Sequence, residues 1–246
     1  MISQYEFELS MKEDYPIKLE WGYRFYAYLL GISSGTLGER VHQTGITPIS
    51  QHLNLKNDKI LWNVTLFGNY VEESLCNTLD ELEQIELANN QCFIVRSKRR
   101  KKIDTVQEMF LCSSTRNKKH RLDFVTPTCF KSHGAYANFP SSQRIIQNLI
   151  SKWNGCFEDC RIEDEDGEGI DAIAGGLSCQ RFKLNDKYYH LKENPIPGFV
   201  GTMIFENHLQ GFHKELADML LNFSGYSGIG IKTTLGMGGV NHKLLK

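Results

Sequence analysis

Apolar residues along this chain switch repeatedly between two periods. Over residues 3–11 they alternate with polar neighbours, as in a strand with one buried face, and Leu19, Tyr23, Tyr26 and Leu30 then recur at helical spacing. Two more alternating runs, at about 47–55 and 59–67, are separated by Asn57-Asp58; in the second, Ile60, Trp62, Val64 and Leu66 take every other position. An amphipathic helix follows, with Val71, Leu75, Leu79, Leu82 and Glu86 tracing its faces and its acids toward water. Strands near Cys92–Arg96 and Val106–Cys112 close this half. The order then repeats. It runs through a strand at about Arg121–Val125, a helix carrying Ile146, Leu149, Ile150 and Trp153, a hairpin turning at Asn185-Asp186, and a strand over Gly198–Phe205. A last helix places Phe212, Leu216, Met219, Leu220 and Phe223 together, and a short strand ends the chain. Two βαββαβ units in tandem are the predicted architecture, split near Ser113–Lys119 into domains 1–116 and 117–246.

Between the last helix and the last strand runs a loop, Gly228 to Gly239, with five glycines around the single lysine Lys232. Glycine admits backbone angles and close approaches that a side chain forbids, so the amides of such a loop can cradle a phosphate with Lys232 supplying charge. A nucleotide-binding P-loop is excluded, because Ile231 rather than glycine precedes the lysine, and only seven residues follow the loop, too few for the helix such a motif needs. The alternative is a tight turn whose glycines allow packing against another backbone.

Composition narrows the setting. With 246 residues, 41% of them apolar, the chain has enough for one large core or two ordinary ones. No run approaches the roughly 18 uninterrupted apolar residues of a membrane helix, and the first eleven residues lack a signal pattern; no membrane association and a cytoplasmic location are expected. Seven scattered cysteines, an odd number, point to reduced thiols, and the isolated pair Cys156 and Cys160 is a weak metal motif, so neither metal nor cofactor is expected. The net charge of −1 hides segregation: residues 96–121 carry net +8, including Lys98, Arg99, Arg100, Lys101 and Lys102, whereas residues 158–171 carry net −7. The basic block is either a polyanion-binding surface or a solvated hairpin tip, and the acidic stretch reads as a solvated loop.

The chain resembles the CRISPR-associated endoribonuclease family that cuts precursor CRISPR transcripts within their repeats. The likeness rests on the Gly228–Gly239 loop, on Leu122–Phe130 followed by Phe139-Pro140 and a helix ending Lys152-Trp153-Asn154, and on Pro197-Gly-Phe-Val-Gly201 before the last helix. It implies an α+β fold of two tandem ferredoxin-like (RRM-like) domains. It also implies metal-independent cleavage, in which a 2′-hydroxyl attacks the neighbouring phosphate to leave a cyclic phosphate and a 5′-hydroxyl. CRISPR repeat RNA is the implied partner; a homodimer and an effector complex stay open.

By the same resemblance the catalytic histidine is His42, expected at the C-terminus of a short second helix, where the helix dipole favours its protonated form as general acid. Seven other histidines compete for that role on sequence alone. The family's tyrosine on the first helix has its best match in Tyr28, expected with Trp21 and Arg24 on the face away from the core. The family's lysine beyond the histidine has no match in Thr44–Leu53, which leaves Arg40, Arg24, Lys232 or loop amides to stabilise the phosphorane. RNA-binding expectations are Gly228, Gly230, Lys232, Thr233, Gly236 and Gly238, with Arg24 and the block Lys98–Lys102. A catalytically silent relative that holds repeat RNA for an effector complex is the alternative.

Overall fold

The computed structural model describes residues 1–13, 16–34, 37, 48–56, 59–88, 90–113 and 119–245. The first half builds a five-stranded antiparallel sheet from β1 (Ile2–Met11), β2 (Ile49–Lys56), β3 (Lys59–Phe67), β4 (Gln84–Leu87) and β5 (Gln91–Ile103), in the order β2-β3-β1-β5-β4. Two helices, α1 (Gly22–Ile32) and α2 (Asn69–Asp80), pack on one face. The alternation read in sequence sets that face: Tyr5, Phe7 and Leu9 point inward opposite Val64, Trp62 and Ile60. Trp62 is fully buried, with the rings of Phe7 and Phe25 centred 5.3 and 5.0 Å away. Each such pair contributes about 0.5–1.5 kcal/mol beyond the area it buries.

The second half repeats the plan. Strands β6 (Lys119–Thr128), β9 (Leu177–Asp186), β12 (Phe199–Asn207) and β13 (Val240–Leu245) pair in the order β13-β6-β12-β9, covered by α4 (Ser142–Cys156) and α6 (Gly211–Ser227). Two small hairpins, β7 (Phe130–Ser132) with β8 (Ala135–Ala137) and β10 (Tyr189–Leu191) with β11 (Asn194–Ile196), interrupt it. Leaving aside the edge strand β4, both sheets place their first strand centrally between the fourth and the third, the ferredoxin-like order. The fold is therefore α+β with two tandem ferredoxin-like units. The sheets draw their strands from residues 2–103 and 119–245; the expected boundary at 116/117 lies in 114–118, outside the described residues. None of the described helices is long and apolar enough to cross a membrane.

Several local expectations need correction. The buried positions of α1 are Gly22, Phe25 and Leu29, not the face of Leu19, Tyr23, Tyr26 and Leu30. The physical reason is that Leu19–Trp21 form a 3₁₀ turn, whose three-residue period shifts the phase before α1 begins. Residues Val106–Ser113 form a helix, α3, rather than a strand. Thr105 Oγ1 accepts from the Glu108 amide at 3.0 Å, and Glu108 accepts from the Asp104 amide at 2.8 Å, a reciprocal cap that starts the helix. Asn185 and Asp186 do not turn; they stay paired with Val200 and Phe199, and the chain reverses at Lys192, whose φ is +56°. The acidic stretch ends in a helix, α5 (Glu168–Gly175), where Asp164 accepts from the amides of Gly169 and Ile170. Phe212 is exposed on α6 rather than buried with Leu216 and Met219.

The two halves share apolar contact. Ile2, Phe67 and Ile103 from the first sheet, with Met109 of α3, belong to the core that holds Leu149, Trp153 and Phe223 of the second. By packing, α3 sits with the second half, and Asn222 of α6 donates to the Ser113 hydroxyl at 2.9 Å.

Candidate nucleic-acid interface

The glycine loop leaves α6 at Gly228 (φ +65°) and folds back on itself before β13. Its glycines are buried. The Gly228 amide donates to Ser224 O, the Gly230 amide to Asn148 Oδ1 at 2.7 Å, and the Gly238 amide to Pro127 O at 3.0 Å. A side chain at Gly230 would overlap the Cys129 carbonyl, and one at Gly236 would meet the Tyr189 hydroxyl and the Gly22 Cα. The expectation that these amides cradle a phosphate is thus corrected for Gly228, Gly230 and Gly238, whose N–H groups are spent within the protein, and the glycines allow close backbone packing. Lys232, in left-handed conformation (φ +56°), is the exposed residue of the loop.

Both halves hold this loop in place. Gln51 of β2 donates to Gly22 O and to Thr234 O, each at 2.7 Å, while its own oxygen accepts from the Trp62 indole at 3.0 Å. Tyr189 donates to Leu235 O. From below, Lys152 of α4 donates to Thr233 Oγ1 at 2.7 Å and to Ser227 O at 3.2 Å. Burial pulls the Lys152 ammonium down to about 8. Thr233, expected to touch RNA, is itself buried and engaged by that lysine. The N-terminus of α1 therefore meets the loop through Gly22, whereas Tyr28 lies six residues further along, about 9 Å up the helix axis.

The remaining expected residues fall in three places. Tyr28 is half-buried, edge-on to Trp62, with its hydroxyl donated to Gln84 O at 3.3 Å; burial raises its pKa. Arg24 is tied into the first half: it bonds Gln91 at 2.7 Å and lies over the Trp21 ring at 4.5 Å. The basic block is neither a hairpin tip nor one continuous platform, because it lies on β5 and alternates between the two faces of the sheet. Lys98, Arg100 and Lys102 share the α2 side. Lys98 bonds Asp80 O, Arg100 pairs with Asp80 at 2.7 Å and Lys102 with Asp104 at 2.7 Å. Arg99 and Lys101 take the opposite face, where Lys101 bonds the Tyr226 hydroxyl. His42 and Arg40 lie outside the described residues.

Sequence reasoning missed a buried polar chain beside the junction of the halves. Asp218 accepts from His120 Nε2 at 2.9 Å, from Asn207 and from Lys214; the other ring nitrogen of His120 lies 3.0 Å from His242 Nε2. Nearby His52 is packed against Gly239, its Nε2 without a partner among the described residues. Burial pushes His52 down to about 4, and burial with the adjacent His120 pushes His242 down to about 3. Both rings are neutral when folded yet take a proton near pH 6.5 when unfolded, so their contribution is complete above that value and is lost as pH falls toward 4. At pH 5 urea denaturation is expected to show the fold weakened by about 2 kcal/mol through His52 alone. A His52→Gln variant is expected to lose less on going from pH 7 to pH 5; an equal loss in both proteins would refute the assignment.

Residues 122–240 match the family model described as CRISPR-associated endoribonuclease Cas6. A CRISPR-associated endoribonuclease Cas6 of Streptococcus thermophilus is 27% identical over 218 residues, spanning 88% of this chain and 89% of the relative. One from Mycobacterium tuberculosis is 22% identical over 208 residues, 82% of this chain and 65% of the relative. Among solved structures, a Cas6 product complex aligns with a TM-score of 0.76 at 20% identity, covering 98% of this chain and 99% of the other. A Cas6 of Thermus thermophilus aligns with 0.71 at 18% identity, covering 99% and 98%. At these identities the structural likeness speaks to the fold.

Proposed function

Because the chain belongs to the Cas6 family of CRISPR-associated endoribonucleases, we propose that it cuts precursor CRISPR RNA within its repeats, without a metal, by attack of the 2′-hydroxyl on the adjacent phosphate. The attacking oxygen gives up its proton to solvent and forms the new P–O bond as the bond to the 5′-oxygen breaks, leaving a 2′,3′-cyclic phosphate and a 5′-hydroxyl. The step asks the protein for a proton on the departing oxygen and for positive charge beside the phosphorane. We assign the proton to His42 and the charge to Lys232, with Arg40 as a second cation.

The observation that supports this reading most is the seating of the glycine loop. It is clamped by Gln51 from the first half and Lys152 from the second, with Lys232 left exposed. A cation held on a rigid backbone between two domains is placed to fix a phosphate relative to groups of the other half. Of the basic block, Arg99 and Lys101 lie on a sheet face away from the Asp80 and Asp104 pairings and are the members we assign to RNA backbone contacts.

A transcript carrying two or more cognate repeats tests the reading. The protein is expected to reduce it to fragments one repeat-spacer unit long and to leave an unrelated hairpin of equal length intact. Tight binding without cleavage would instead support the silent RNA-holding alternative, and indifference to the repeat would contradict both.

A further inference from the structure

One face of α4 is polar and unabsorbed by the loop-seating role. Arg144, Gln147, Asn148 and Ser151 recur at spacings of three, one and three, opposite the buried stripe of Ile145, Ile146, Leu149, Ile150 and Trp153. That polar face looks across at the β7–β8 hairpin. Lys131, Ser132 and His133 of the hairpin, with Phe130 and Ile231, enclose with it a groove of about 470 Å³. This is the size range of small-ligand sites.

The chemistry of the groove is one-sided. It has no carboxylate in its lining, and neither Lys131 nor Arg144 has an ion-pair partner among the described residues. Arg144 spends one nitrogen on Phe139 O at 3.0 Å, and the Asn148 oxygen accepts the Gly230 amide, which leaves the Asn148 nitrogen as a donor. Two exposed aromatic residues are tied to residues of its lining. Tyr136, 49% exposed, is the direct cross-strand partner of Lys131, and Phe139, 70% exposed, carries the carbonyl that holds Arg144. The hairpin is held in register by a two-residue turn with both central residues at positive φ, His133 at +48° and Gly134 at +80°. Ile231, the chain neighbour of Lys232, forms part of the groove wall.

A donor-rich, acid-free groove with flanking aromatic rings suits a phosphate on one side and a base on the other. We propose that it is a subsite for one unpaired nucleotide of the RNA that Lys232 contacts. Lys131 and Arg144 hold its flanking phosphates, and Tyr136 and Phe139 stack its base. The inference rests on the RNA-cleaving reading above and adds where the strand goes beyond the loop.

Anisotropy with labelled repeat RNA, together with an abasic substitution at each position of the repeat in turn, tests it. Lys131→Ala with Arg144→Gln is expected to raise Kd about tenfold or more and to lower the salt slope by about two, one for each phosphate that the variant no longer neutralises. Wild type is expected to lose about tenfold at one abasic position, and Tyr136→Ala with Phe139→Ala to be insensitive there while responding normally elsewhere. A general loss from misfolding would lower affinity at every position, so the position-specific pattern separates the two. Variants within twofold of wild type on intact RNA, or a ring variant equally sensitive at every abasic position, would overturn the subsite. A wild-type protein that binds no repeat RNA would overturn the functional reading and the subsite with it.

Discussion

Replacing His42 with alanine is expected to slow single-turnover cleavage of repeat RNA by about 10²–10⁴-fold while Kd stays within about threefold. The departing 5′-oxygen is a poor leaving group as an alkoxide, so most of the barrier that the protein can remove lies in delivering a proton as the P–O bond breaks. An imidazole with a pKa near 6.5 gives that proton at neutral pH and recovers it from water. Binding is expected to persist, because Lys232 sits on a loop seated by Gln51 and Lys152. The general-acid role also predicts that the rate falls as pH rises above the imidazole pKa. A His42→Ala protein that cuts at the wild-type rate would remove His42 from the mechanism and pass the role to another group.

Gly238→Ala is expected to destabilise the fold by at least about 3 kcal/mol, read as a fall in Tm of about 6–12 °C by circular dichroism. Two costs combine there. The backbone sits at φ +67°, where an L side chain is strained, and an added Cβ would overlap the Ile229 carbonyl and press on the Thr233 methyl at 3.0 Å. The Gly238 amide also donates to Pro127 O, so the chain has little room to shift. Because the same packing fixes Lys232, RNA affinity is expected to fall in the same variant even where the protein remains folded. Gly31→Ala is the control: Gly31 lies within α1 with nothing within 4 Å of the added carbon, so about 0.5–1 kcal/mol of stabilisation is expected from helix propensity. A Gly238→Ala protein as stable as wild type would refute the packing role of the loop.

What could be read from sequence was the part encoded by local periodicity. The alternation of Tyr5, Phe7 and Leu9, the paired runs that became β2 and β3, and the apolar stripes of α2 and α4 all specify their buried faces within a few residues. The first helix was harder because a 3₁₀ turn reset its phase. The Val106–Ser113 helix carried its signal in Thr105 and Glu108, three residues apart, rather than in its short apolar pattern. The roles of the glycines were illegible for another reason: the atoms that crowd Gly230 and Gly236 belong to Cys129, Tyr189 and Gly22, far away in sequence. Charge clustering misled in the same way. Lys98 to Lys102 look like one basic surface along the chain, yet β5 alternates them between two faces and Asp80 and Asp104 meet those on one side. The groove beside Lys232 needed both a hairpin and a helix face, so no single segment announced it.

The most direct test of the central claim is a single-turnover cleavage of 5′-labelled repeat RNA in excess EDTA, with the ends of both fragments identified. Proton transfer by protein groups predicts an undiminished rate, one cut per repeat, a 2′,3′-cyclic phosphate on the upstream fragment and a 5′-hydroxyl on the downstream one. Cleavage that stops in EDTA and returns with a divalent cation, or that leaves a 3′-hydroxyl and a 5′-phosphate, would contradict it.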